Sequence, residues 1–195
     1  MGTLVLKTAP TLEPVTASEA KTHMRVTISD DDTYITTLIS VARKHVEHIT
    51  NRALVSQTWN YYLDNFPYNS RALKMPIGGL SSVTSITYTD ADAVDTVWAA
   101  SNYIVDTKSI PGQIVLGYGL DWPSFVERPV NAVNIEFVAG YGSAASSVPE
   151  GIRQAILLLI SHWYDNRELV TDLALRRVPE TVQALLYPYR IFSFG

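Results

Sequence analysis

The chain has no cysteine among its 195 residues. That removes disulfides, thiolate nucleophiles and cysteine-ligated zinc together, and it fits assembly in a reducing cytoplasm. Clustered positive charge is missing as well. The 15 Lys and Arg are scattered among 19 Asp and Glu, and Arg176-Arg177 is the only pair of adjacent arginines. Tight nucleic-acid binders draw much of their affinity from grouped cations that neutralise phosphates, so a net charge of −4 argues against that class. It leaves room for a protein that surrounds DNA without gripping it. Long apolar runs are absent too: Arg153 and His162 bracket the longest, well short of a membrane span. The first ten residues lack the charged and apolar regions of a signal peptide, and none is expected.

What is present is the composition of a folded globular chain: 47% hydrophobic residues and a mean hydropathy of +0.06. The run Val148–Glu168 is its most informative stretch. Pro149 and Glu150 suit a first helical turn, where the missing N–H costs nothing and a carboxylate meets the positive dipole end. Ile152, Ala155, Ile156, Leu159, Ile160 and Trp163 then fall on one helical stripe. Leu157, Leu158 and Tyr164 lie off that stripe and are also apolar or aromatic. The pattern predicts a helix with neighbours on two sides, one of them another subunit across Leu157, Leu158 and Tyr164.

Upstream, Thr16 and Glu19 have the spacing of a capping box, opening a helix to about Arg25. Ser29-Asp30-Asp31-Asp32 reads as a second box, with its acids as caps rather than metal ligands. The helix it starts carries Ile35, Leu38, Ile39, Ala42, Val46 and Ile49 on one face and ends near Asn51. From Leu54 the period becomes two. Strands are expected across Val55–Leu63, Ala72–Met75, Val83–Thr89, Tyr103–Asp106, Gln113–Leu116 and Val130–Val138, parted by Pro, Gly and Asp turns. Pro179 opens a short last helix over Glu180–Leu186, and Pro188 stops it and sends the tail out extended. The expected class is α+β: a helical bundle (about 16–51 and 149–187) with an antiparallel sheet or small barrel inserted between the helices (about 54–140), then a tail from 187 to 195. All of it is read as one domain.

Few residues offer chemistry. Gly140-Tyr141-Gly142-Ser143-Ala144-Ala145 matches a dinucleotide fingerprint between strand and helix, but no second strand completes a βαβ unit. A sharp turn is the better reading. His45 and His48 share a helix face, and two ligands do not make a metal site. His162 is a candidate base for a small hydrolase, yet no Gly-x-Ser-x-Gly elbow supplies a nucleophile. Asp165, Arg167 and Glu168 read as surface ion pairs. The expectation is no catalytic residue, no cofactor and no metal. The C-terminus is unusual, because Tyr187, Tyr189, Arg190, Ile191, Phe192 and Phe194 are of types that anchor interfaces.

The order of these segments resembles a known family. Ala53–Trp59, Ser82–Tyr88 and Phe137–Gly142 are followed by Val148-Pro149-Glu150, Ala155–Leu158, His162–Glu168 and Leu185–Arg190. In that order they resemble the head–tail connector (adaptor) proteins of tailed bacteriophages, including prophage and gene-transfer-agent relatives, from about Glu13 to Arg190. The resemblance implies a structural ring subunit of usually twelve copies, beneath the portal and above the next neck or stopper ring. DNA would pass through its lumen without specific binding, in a virion neck assembled in the bacterial host cytoplasm and without a membrane partner. Another neck or tail-completion ring protein is the alternative within virions. On the connector reading, the tail from Tyr187 to Phe194 docks on the portal and orders only in the assembly.

Overall fold

The computed structural model describes residues 2–166 and 180–191. It is an α+β protein with eight strands in two antiparallel sheets and four α-helices among the described residues. The chain divides into two compact units. Met1–Pro10 and Ser56–Tyr141 form a strand unit, and Thr11–Val55 with Gly142–Gly195 form a helical unit.

In the helical unit, α1 (Ala17–Met24) starts at the expected capping box. The Thr16 hydroxyl accepts from the Glu19 N–H, and the Glu19 carboxylate accepts from the Thr16 N–H at 2.7 Å. Arg25 ends it in the left-handed conformation. The second expected box does not form. Asp31 is the N-cap of α2 (Asp32–Thr50) but makes no side-chain cap bond. Its carboxylate accepts instead from the Tyr164 hydroxyl at 2.6 Å, and Asp32 pairs with Lys21 at 2.6 Å. Tertiary partners outcompete the local cap. Along α2, Ile35, Leu38, Ile39, Ala42 and Val46 are buried as the stripe requires. Ile49 is half-buried, and Thr50 takes the buried place, its hydroxyl donating to the Val46 carbonyl.

Helix α3 (Glu150–Asp165) begins one residue later than Pro149, which serves as N-cap. The Pro149 carbonyl accepts from the N–H groups of Ile152 and Arg153. Ile152, Ala155, Ile156, Leu159 and Ile160 are buried, and Trp163 is half-buried. Helices α1, α2 and α4 (Glu180–Leu186) all pack on α3, with Val182 and Leu186 of α4 buried. After α4 the chain makes a 3-10 turn over Tyr187–Tyr189 and becomes extended only at Arg190. Pro188 thus sits inside a tight turn whose first positions tolerate its missing N–H, rather than opening an extended exit.

The strand unit holds the other architecture. Five strands run in the order β1 (Thr3–Thr8), β2 (Gln57–Leu63), β8 (Val133–Ala139), β4 (Leu80–Thr89), β5 (Asp95–Val97). Three more run β3 (Ala72–Lys74), β7 (Gln113–Leu116), β6 (Tyr103–Asp106). Strands β1 and β5, the two edges of the larger sheet, were not expected from sequence. In β8, Val133, Ile135, Phe137 and Ala139 are buried while the residues between them are half-exposed, the alternation of a sheet with one covered face. Phe66 is the hub of an aromatic cluster. It stacks on Trp122 at 5.2 Å between ring centres, meets Trp98 at 5.8 Å, and Tyr88 meets Phe125 at 4.6 Å.

Candidate functional site

The residues singled out from sequence come together mainly on α3 and the segment after α4. Leu157 and Leu158 are half-buried. Leu157 borders a shallow groove of about 450 Å³ with Glu150, Gly151, Arg153 and Gln154. Tyr164 is half-buried, its hydroxyl on Asp31 and its ring 6.2 Å from that of Tyr34. The three residues off the α3 stripe are therefore partly covered within their own unit.

The C-terminal segment is fastened at definite points. Arg52 Nε donates to the Tyr189 carbonyl at 2.6 Å, and the Ile191 N–H donates to the Thr50 carbonyl at 3.0 Å. The Tyr189 ring lies against Gly151, where a Cβ would come within 3.1 Å of its hydroxyl oxygen. Residues 189–191 thus lie along their own helical unit, which differs from a tail that orders only in an assembly. The isolated chain supplies backbone partners that the sequence pattern did not reveal. Tyr187 and Arg190 remain exposed. Phe192 and Phe194 lie outside the described residues, as do Arg167, Glu168, Arg176, Arg177 and Pro179.

Two ion-pair locks, neither expected from sequence, hold the helical frame. Arg43 is buried on α2 and reaches Glu13 at 2.7 Å and Glu47 at 2.8 Å. Glu47 also accepts from the Leu54 N–H at 3.1 Å. Arg153 of α3 pairs with Glu19 of α1 and donates from Nε to the Pro14 carbonyl at 3.0 Å. Hydrogen bonds from Thr16, reinforced by Arg153, hold the Glu19 carboxyl below its ordinary pKa. The i,i+4 spacing of Arg43 and Glu47 was the available signal, and their pairing across one helical turn was legible in principle.

The chemical candidates are placed as packing groups. His45 meets Trp163 edge-on at 5.6 Å. Burial, with the nearby His48, lowers its pKa, and its Nε2 has no hydrogen-bond partner among the described residues. His48 and Asp165 are exposed, and His162 is half-buried with its carbonyl accepting from Asn166. Among the described residues no group of three His, Cys, Asp or Glu could hold a metal, and no helix is long and apolar enough to cross a membrane. Gly140 and Gly142 have φ values of 143° and 156°, which other residues rarely adopt. Helix α3 begins only at Glu150, so these glycines form a turn and do not cap a helix as a phosphate cradle does.

Fold and site define a structural module whose singled-out side chains pack and lock. The chain belongs to the head completion protein family, which matches residues 13–192. That span contains every segment on which the connector resemblance rests, and the resemblance holds. The fold is similar to a chain in the neck of an empty gene transfer agent (GTA) particle computed with C6 symmetry, at 24% identity and a TM-score of 0.81. That match covers 99% of this chain and 97% of the other. A chain in the virion of a native GTA particle matches at 22% identity and TM-score 0.81, covering 98% and 97%. One in the neck of the native particle computed with C12 symmetry matches at 24% and 0.76, covering 99% and 97%. No curated protein matches the chain in sequence.

Proposed function

We propose that this head completion protein is a non-enzymatic adaptor of the particle neck. It forms a ring, of twelve copies by analogy with the C12 neck, between the portal and the next neck component. DNA passes through the ring without being gripped, in keeping with the net charge of −4. The neck at the head–tail junction is its location. The observation that carries the reading is the family match over residues 13–192, together with a fold shared end to end with GTA neck chains. In this reading the four helices act as the helical bundle of a single connector domain, and strands β2 to β8 are its insertion.

The exposed Tyr187 and Arg190 are the foremost portal contacts, with Arg190 facing an acidic portal group. Tyr189 and Ile191 fasten the segment to the helices, and Phe192 and Phe194 are further portal anchors in this reading. Leu157, Leu158 and Tyr164, already half-covered, complete their burial against a neighbouring subunit. Tyr187→Ala with Arg190→Ala spares the backbone contacts at Tyr189 and Ile191, so the variant is expected to fold. Its far-UV circular dichroism should match the parent, and DNA-filled heads should lose the protein. The chain truncated after Leu186 should also be lost from the heads, with a lower stability than the parent because the truncation removes the contacts at Tyr189 and Ile191 as well. Normal incorporation of both variants would overturn the portal assignment. The triple change of His45, His48 and His162 to Ala should leave assembly intact, and a hydrolytic activity abolished by His162→Ala would contradict the non-enzymatic reading.

A further inference from the structure

We propose that Arg52 is a positioning residue for docking. Together with the Thr50 carbonyl it clamps the C-terminal segment, so that Tyr187 and Arg190 are presented in a fixed shape before a partner arrives. The inference rests on the portal reading above and concerns how that contact is prepared. Helix α2 ends at Thr50, and Asn51 caps it in the left-handed region at φ 51°. A helix end leaves its last carbonyls without intrahelical partners. Here the Asn51 N–H returns to Glu47 and His48, the Arg52 N–H returns to Glu47, and the Thr50 carbonyl accepts from the Ile191 N–H at 3.0 Å. Arg52, just past that helix end, donates from Nε to the Tyr189 carbonyl at 2.6 Å. The helix dipole favours a cation at this place.

The two bonds act on alternate residues. Tyr189 and Ile191 are half-buried, whereas Arg190 between them is exposed. The Arg190 φ of −69° and ψ of 134° are those of an extended chain. On the other side of the 3-10 turn, Val182 and Leu186 of α4 are fully buried, while Tyr187 is 65% exposed. The segment is therefore held before Tyr187 by α4 and after it by Arg52 and Thr50, and Tyr187 and Arg190 face solvent. Chain ends usually fray, and ordering one on binding subtracts from the affinity. A segment already held in its docking shape avoids most of that cost. Every copy in a ring repeats the gain.

Two changes open the clamp independently. Arg52→Ala removes the donor to Tyr189. Ile191→Pro removes the N–H that reaches Thr50, and Arg190 already has the extended backbone that a following proline requires. In the full chain each variant should keep the parent's far-UV spectrum. Each should also speed hydrogen exchange at the Arg190 amide, which donates to the Tyr187 carbonyl at 3.3 Å. The variants are then titrated onto DNA-filled heads that lack this protein. Half-saturation should need about tenfold more of either variant than of the parent, because the ordering cost returns. Final occupancy should be unchanged, since Tyr187 and Arg190 are kept. A role confined to the subunit's own stability predicts faster exchange without a shift in the titration. Unshifted or tighter joining by either variant therefore overturns the positioning role, and so does parent-like exchange at Arg190 in either. Tyr187→Ala with Arg190→Ala is titrated alongside. Parent-like joining by that chain overturns the portal reading itself, whereas its loss alongside normal joining by Arg52→Ala overturns the positioning alone.

Discussion

The two units of this chain stabilise themselves in different ways and leave different surfaces behind. The helical unit uses charged and polar groups as internal locks: Arg43 with Glu13 and Glu47, Arg153 with Glu19, Tyr164 with Asp31, and Arg52 with the Tyr189 carbonyl. The strand unit relies on an aromatic cluster around Phe66 and a sheet with one covered face. Of the fifteen exposed large hydrophobic residues among those described, eleven lie in the strand unit and four in the helical unit. Large contiguous apolar patches mark contact sites, whereas apolar residues exposed singly are ordinary. Among the described residues the strand unit thus leaves more apolar side chains exposed, while the helical unit fastens the C-terminal segment through Arg52 and Thr50.

Phe66→Ala should break the strand unit most severely. It removes a fully buried ring from the centre of four aromatic contacts. A loss of about 3–5 kcal/mol is expected for such a truncation, measured as a lower urea midpoint. Arg43→Ala is the counterpart in the helical unit, and it leaves the Glu13 and Glu47 carboxylates facing each other without their cation. Breaking a buried pair from one side costs about 3 kcal/mol or more. If Arg43→Ala proves neutral, the locks are incidental and the contrast between the units fails.

How much of this was legible in sequence depended on how far apart the partners lie. The Thr16–Glu19 cap is local and was readable from spacing alone. Strands β6 and β7 coincide with the expected Tyr103–Asp106 and Gln113–Leu116. Strand β1 was missed because its partner begins at Gln57, far along the chain, and nothing in Thr3–Thr8 announces that pairing. Strand β5 is only three residues long and lies beside an Asp-rich turn that reads as loop. Trp98 and Trp122 sit in connecting segments, and only the fold brings them to Phe66. The same limit affected the candidate site. The greasy second face of α3 was legible, but Asp31 and Tyr34 as the partners of Tyr164 on it were not. The aromatic tail was legible, but its fastening to Arg52 and Thr50 was not.

A finer test concerns that fastening. Gly151 lies in the first turn of α3, where alanine is the better helix former by about 1 kcal/mol. Its added Cβ would press on the Tyr189 hydroxyl end at 3.1 Å. Gly151→Ala is therefore expected to change stability little in the parent and to stabilise by about 1 kcal/mol in a Tyr189→Ala background. Equal effects in both backgrounds would show that Tyr189 does not rest on α3. The C-terminal segment would then lose its place in the rigid half of the comparison.

The smallest expected effect is the pH dependence of the Arg153–Glu19–Thr16 lock. The folded pKa of Glu19 is depressed, chiefly by the Thr16 N–H and then by its hydroxyl and Arg153. A depressed carboxylate contributes stability that is present above its unfolded pKa and lost as pH falls through the folded value. The contribution should therefore be complete at neutral pH and disappear in the acid range below the ordinary glutamate pKa. Glu19→Gln keeps the size of the side chain and removes the titration. The variant should lose no more than about 1 kcal/mol at pH 7, since the Glu19 side chain is 41% exposed and solvent weakens the pair. Its stability should also fall less steeply than the parent's on acidification. Tyr68 supplies the matching test in the strand unit at the other end of the scale. Burial and the bond to Glu127 push its pKa up to about 12. A raised pKa gives stability that is full below the unfolded tyrosine value and lost as pH rises towards 12. Tyr68→Phe should flatten the alkaline limb of the stability profile, and Glu19→Gln should flatten only the acid limb. If either variant changes the opposite limb instead, the division of labour between the locks of the helices and the contacts of the strands is wrongly drawn.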